Sequence, residues 1–330
     1  MIRLGGRFVG NGAAAMNEIV SETLHPLDPA DEKVVAEIRK ATVAGKGHVD
    51  RAPFDQMMEQ TPDATGIFYE PATVAGVSGI WCRSAAQRPD AVILYVHGGA
   101  YVAGSARAFR HLAGQIAARA GIAAFVPDYR LAPEHPFPAA FDDAYAAYRG
   151  LICAETRAIA IVGDSAGGGL ALALLAAACA EAAKSGALGP SAGVAMSPWT
   201  DLALAGSSME TRADEDPFLT KDALAAAAAQ YLAGQDARVP SASPLYGDLS
   251  GLPPIQVHTG TAEILLDDSR RYADRAGFAK VDLALHTWEG MAHVFPSSVG
   301  TLHAAGAALD SIGTFLRERV AATFYGGGRV

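Results

Sequence analysis

A serine stands between glycines where an apolar run gives way to an alanine- and leucine-rich stretch: Ala160 to Leu175 reads A-I-V-G-D-S-A-G-G-G-L-A-L-A-L-L. Gly163-Asp164-Ser165-Ala166-Gly167 fits G-x-S-x-G. A strand before this pattern and a helix after it is the setting in which it bares a nucleophile. The reason is steric. A strand turning sharply into a helix forces the middle residue into a strained conformation, and small neighbours keep Cβ atoms apart. The serine hydroxyl then stands proud of the sheet, and the Ala166 N–H, at the helix N-terminus, faces a developing oxyanion. A phosphate loop would need G-x-x-x-x-G-K-[ST], and no lysine follows. A dinucleotide fingerprint would need glycine where Ser165 stands. A merely structural turn is the bland alternative.

His97-Gly98-Gly99-Ala100 directly follows the apolar run Ala91 to Val96. Consecutive glycines let bare N–H groups approach a reacting carbonyl, so Gly98 and Gly99, with Ala166, are the expected oxyanion donors. A nucleophilic serine also needs a base, and the base an acid that fixes its tautomer, here in the chain order Ser, Asp/Glu, His. Of nine histidines, His286, His293 and His303 lie beyond the last helix-to-strand crossover. His286 falls inside a β-prone run and His303 in a helix-like one, and both read as structural. His293, in G-M-A-H-V-F just past the strand, is the expected base. For the acid, G-T-A-E-I-L-L-D-D offers Glu263, Asp267 and Asp268. Glu263, in the strand-to-helix loop at the sheet edge, is preferred over Asp267. Asp267 and Asp268 read as cap or first-turn acids of the next helix.

These residues must be held by a scaffold, and the apolar patterning describes one. Ala91 to Val96, Ile122 to Val126, Ala158 to Val162, Ala192 to Met196, Ile255 to Thr259 and Val281 to Thr287 are short β-prone runs, mostly continuous, as in strands buried on both faces. Ala106 to Ala120, Phe141 to Leu151, Gly169 to Ala183 and Asp267 to Ala276 are helical in composition. The alternation predicts a mostly parallel twisted α/β sheet flanked by helices. Gly66 to Tyr69 and Val77 to Cys82 read as an antiparallel lead-in. The alternation breaks at about 203–240, where an acidic loop (Asp214, Glu215, Asp216, Pro217) precedes a helix from Lys221 to Leu232. Inserts of this size are usually lids or binding elements. The division expected is an N-terminal cap segment over 1–50 and a catalytic domain over 51–330 carrying that insert.

Composition narrows the function classes. Half of the 330 residues are apolar and 18% charged, so a large core is expected. The net charge is 26 − 35 = −9 without a Lys/Arg cluster, which argues against a nucleic-acid partner. Cys82, Cys153 and Cys179 are widely spaced and odd in number, suggesting no disulfide framework or metal site. The apolar residues of M-I-R-L-G-G-R are interrupted by Gly5, Gly6 and Arg7, so a signal h-region is not expected, and the most apolar region contains Asp164 and several glycines, unlike a membrane span. A cytoplasmic protein is the expectation.

Together, H-G-G-A-Y, D-Y-R-L-A-P-E-H-P-F-P-A-A (Asp128 to Ala140), G-D-S-A-G-G, S-P-W-T-D-L (Ser197 to Leu202) and G-M-A-H-V-F resemble the hormone-sensitive-lipase-like family of bacterial carboxylesterases, from Ala91 onward. The resemblance implies an α/β-hydrolase fold, a helical cap built from the N-terminus and the 203–240 insert, and no cofactor. It implies a small-molecule ester as partner, hydrolysed as a small or short-chain acyl ester through an acyl-serine, and it is compatible with a homodimer. A lactone or acetyl-ester hydrolase would use the same triad. A non-catalytic ligand-binding protein of this fold would be expected to lack a triad member. Two departures stand out. Ala100 replaces the third glycine of H-G-G-G, tolerable unless φ > 0 is needed there, which would cost alanine about 1 kcal/mol. E-I-L-L-D replaces the family's D-P-L-x-D, which keeps Asp267 open as the acid. Tyr129 to Glu134 is expected to brace the oxyanion loop, with Arg130 and Glu134 pairing with each other or with nearby backbone.

Overall fold

The computed structural model describes residues 19–41, 47, 50–152 and 156–325. Its elements in chain order are β1 (Val20–His25), α1 (Glu32–Ala41), α2 (Arg51–Met58), β2 (Ile67–Val74), β3 (Val77–Ser84), β4 (Arg88–Val96), α3 (Ala106–Ala120), β5 (Ile122–Pro127), α4 (Ala139–Leu151) and β6 (Ala158–Asp164). There follow α5 (Ser165–Ser185), β7 (Ala192–Met196), α6 (Ser208–Thr211), α7 (Lys221–Leu232), β8 (Ile255–Gly260), α8 (Leu266–Phe278), β9 (Leu283–Trp288) and α9 (His303–Tyr325). The strands form one nine-stranded sheet in the order β1-β9-β8-β7-β6-β4-β5-β3-β2. It is parallel from β1 to β5, and β3 and β2 join antiparallel, as the lead-in predicts.

Alternation along β4 divides the core. Val92, Leu94 and Val96 face a layer that includes α4, α5 and α8, whereas Ile93 and Tyr95 face α3 and α9. The β4-to-β5 crossover therefore covers one face of the sheet and the β6-to-β7 crossover the other. Strand order reverses between β4 and β6, and the loops leaving their C-terminal ends border the crevice where ligands bind in such sheets. One helix among the described residues, α5, is long and apolar enough to cross a bilayer, and 61% of its most apolar window is buried inside the molecule.

The sequence differs from the structure at the periphery. β1 lies within the 1–50 segment expected to act as cap, yet it pairs with β9 as the edge of the main sheet, from Val20 opposite Leu283 to His25 opposite Trp288. Its residues V-S-E-T-L-H are mostly exposed, so it lacks the apolar run that marks the inner strands. Residues 1–18 and Cys153 lie outside the described residues. Cys82 and Cys179 are free thiols, pushed up by burial to about 12 and about 11.

Candidate active site

Close backbone approach explains the glycines around Ser165. A Cβ at Gly167 would lie 2.2 Å from the carbonyl oxygens of Val96 and His97, and one at Gly163 would lie 2.3 Å from the Gly167 carbonyl oxygen. Glycine at both positions lets the turn from β6 into α5 nest against the end of β4. Ser165, the first residue of α5, sits at φ +53°, the strained conformation that the elbow reading requires.

The serine hydroxyl lies 2.8 Å from His293 Nε2, and His293 Nδ1 lies 2.7 Å from Glu263 Oε2. Glu263 is fully buried. Its second oxygen, Oε1, accepts the hydroxyls of Ser197 (2.9 Å) and Thr259 (2.8 Å) and the Gly260 N–H (2.7 Å). Those donors compensate a buried carboxylate for the water it has lost. Ser197, at φ +47°, also accepts the Val294 N–H at 3.0 Å, so one hydroxyl secures both Glu263 and the residue after His293. Burial disfavours the charged imidazole of His293, but the hydrogen bond and charge of Glu263, with the charges of Asp216 and Asp164, outweigh it and raise His293 above its ordinary 6.5.

Asp267 stands apart from this line. Its carboxylate accepts the Ser207 hydroxyl at 2.6 Å and the Ser208 N–H at 2.9 Å, joining the insert to the start of α8. His286 is bound within the sheet to His25 and Gln256, and exposed His303 pairs with Asp28.

The oxyanion loop requires a correction. The Gly98 N–H, expected among the donors, is directed at Asp164 Oδ1 at 3.1 Å, and a Cβ at Gly98 would meet the other oxygen of that carboxylate at 2.3 Å. Tyr95 donates to the same Oδ1 at 2.7 Å, and burial pushes Asp164 up to about 7. The N–H groups of Gly99, Ala100 and Ala166 have no acceptor among the described residues. The open Ala100 N–H is one that the sequence pattern did not reveal, because a backbone N–H carries no side-chain signature. Ala100 adopts φ +55°, so the missing third glycine is a strained position. Tyr129 to Glu134 does brace this loop: the Tyr129 hydroxyl donates to the His97 carbonyl (2.7 Å), and the Ala132 N–H to the Tyr101 carbonyl (2.9 Å). Arg130 and Glu134 do not pair with each other. Arg130 binds Asp143, and Glu134 binds Arg51 of α2.

A cavity of about 700 Å³ opens over Ser165 and His293. Its walls include Val35 and Ile38 of α1, Phe54 and Met58 of α2, and Leu219 and Leu224 of the insert. Both segments expected to form a cap thus meet over the same space. Such a lining admits apolar groups and excludes water from the bond being attacked.

A family model described as alpha/beta hydrolase fold matches residues 93–297. An acetyl-hydrolase of Streptomyces hygroscopicus is 41% identical over 248 residues, spanning 74% of this chain and 81% of that protein. An esterase of Acinetobacter venetianus is 34% identical over 285 residues, spanning 84% and 92%. Among solved structures, an esterase from the bacterial hormone-sensitive lipase family superposes with a TM-score of 0.81 at 41% identity, covering 89% of this chain and 99% of that one. EstE5, in a crystal soaked with p-nitrophenyl butyrate, gives 0.81 at 38% identity over the same shares of the two chains. The chain belongs to the alpha/beta hydrolase family and, within it, to the bacterial hormone-sensitive-lipase-type esterases.

Proposed function

We propose that the protein hydrolyses small and short-chain acyl esters through an acyl-serine, with Ser165 as nucleophile, His293 as base and Glu263 as acid. Ser165 Oγ attacks the ester carbonyl as His293 Nε2 takes its proton. Glu263 holds the Nδ1–H tautomer and stabilises the imidazolium that forms. The oxyanion is received by the N–H groups of Gly99, Ala100 and Ala166, and the imidazolium returns its proton to the departing alkoxide. Water, activated by His293, then releases the acid and restores Ser165. The reading is carried by one observation: the unbroken hydrogen-bonded line from Glu263 through His293 to Ser165.

Ser165→Ala is expected to lower turnover of a short-chain aryl ester by at least about 10⁴-fold with the unfolding midpoint retained. Labelling by an organophosphonate should disappear with it. A folded variant that keeps most of its activity refutes the assignment. A narrower reading, acetyl-ester hydrolysis, is favoured by the name of the Streptomyces relative. The 700 Å³ cavity is larger than an acetyl group requires and supports turnover of longer chains as well. A series of acyl lengths, run beside small lactones, separates these substrates.

A further inference from the structure

The loop that carries Glu263 is held from the cap insert as well as from the sheet. Ile264, the residue after Glu263, has both backbone groups bound by insert residues. Its N–H donates to Asp216 Oδ2 at 2.8 Å, and its carbonyl accepts the Ser208 hydroxyl at 2.6 Å. Asp216 is 1% exposed. Its other oxygen accepts the N–H groups of Phe218 and Leu219, at 2.8 and 2.9 Å, and so fixes the turn that carries Leu219 into the cavity wall. All three donors are neutral, and among the described residues no cationic side chain pairs with the carboxylate. Its charge is felt instead by His293, which is faced also by Glu263 and by Asp164 at the end of β6.

We propose that Asp216 is a positioning residue that couples the insert to the triad: one carboxylate shapes the cavity wall, fixes the Glu263 loop and adds negative charge to the surroundings of His293. Burial and charge act in opposite directions on Asp216. Burial pushes Asp216 up, the proximity of His293 opposes that rise, and Asp216 in turn favours the protonated imidazole. An imidazolium formed during acylation is then stabilised by a carboxylate of the insert as well as by Glu263. The proposal rests on the Ser165–His293–Glu263 reading.

Asp216→Asn tests it. An asparagine offers one oxygen and an amide, so it cannot serve both the Phe218–Leu219 turn and the Ile264 N–H. The expected result is a fall in kcat of roughly tenfold, with KM for a short neutral ester held within about twofold. The acid limb of kcat/KM should move down by about half a pH unit. A role confined to stability would lower the unfolding midpoint and leave that limb where it is. A folded variant with an unmoved limb therefore overturns the proposal. If the asparagine variant does not fold, Asp216→Ser keeps an acceptor for the turn while removing the charge, and the same shift is expected. NMR titration of the His293 ring supplies a third reading: its midpoint should be lower in Asp216→Asn than in the wild type, and an unchanged midpoint in the folded variant overturns the proposal. Inactive Ser165→Ala with an unmoved limb in Asp216→Asn would defeat this inference alone, whereas active Ser165→Ala would defeat the triad reading itself.

Discussion

Glu263 and Asp267 lie four positions apart, one in the loop after β8 and the other in the first turn of α8, and both are carboxylates, yet their surroundings assign them different work. Glu263 is fully buried, bound to His293 at 2.7 Å through one oxygen and to three donors through the other. Asp267 serves Ser207 and Ser208 of the insert. Replacing Glu263 by glutamine keeps the shape but removes the charge that opposes the imidazolium, and it lets the amide present the wrong hydrogen-bonding group to Nδ1. The expected loss in kcat is about 10³–10⁴-fold for Glu263→Gln, against less than about tenfold for Asp267→Asn. Steady-state rates on one short-chain ester decide between them, and the reverse order would make Asp267 the acid. The same residue scale shows where strain sits. Ala100, Tyr101, Ser165, Ser197 and Val294 all have positive φ between 47° and 65°, and all belong to the oxyanion loop, the elbow or the supports of acid and base. Each such conformation costs a non-glycine residue about 1 kcal/mol or more, offset by the surrounding fold.

Three chain segments far apart in sequence meet at the oxyanion loop, and Arg51 of α2 ties them. Its guanidinium donates to the Val102 carbonyl at 2.7 Å and the Ala132 carbonyl at 2.9 Å, and it pairs with Glu134. The ion pair is half exposed and contributes little to stability by itself. The planar fork is what spans both carbonyls, and an ammonium cannot reproduce it. Arg51→Lys should therefore lower kcat/KM about threefold to tenfold while changing stability by less than about 1 kcal/mol. Unchanged kinetics in a folded variant would mean that α2 does not restrain the loop. This tie also shows what the sequence conceals. The inner strands, the elbow and the His293 loop were legible because continuous apolar runs and glycine spacing are local signals. β1 was not, because an exposed edge strand carries no such run. Glycine at position 98 permits a bare N–H, the signal for a donor, but where that N–H points depends on Asp164, 66 residues away. Ser197 and Asp216 act through hydrogen bonds to segments 48–97 residues distant, and spacing along the chain does not encode them.

For the molecule as a whole, the buried titratable groups set activity and stability against each other. In the proposed mechanism activity requires neutral His293, whose proton is held above the ordinary 6.5, so kcat/KM should rise with pH through that raised value and then level off. Stability should run the other way. Burial pushes Asp164 from 3.8 to about 7, and burial with the neighbouring Asp201 charge pushes Asp268 to about 8. Between pH 6.5 and 8 the native state keeps protons on Asp268, Asp164 and His293 that the unfolded chain has released, so unfolding becomes easier as pH rises. Buried His97 and His286, lowered to about 4, and His25 and His258, also lowered, are neutral in the native state but half protonated in the unfolded chain at 6.5, so they oppose the aspartates until the unfolded histidines have released their protons near pH 7.5. Below 6.5 they take up protons only on unfolding, which opposes the aspartates and flattens the curve. The expected net fall is roughly 1 kcal/mol from pH 6.5 to 8, most of it above pH 7, read as a lower denaturant midpoint at constant slope. Asp268→Asn should remove most of it, since Asp268 is the group still protonated at the upper end of the interval. A midpoint that stays level or climbs across the interval in which esterase activity increases would show that these carboxyls are ionised in the native state, and the opposition between working pH and stability would fall with them.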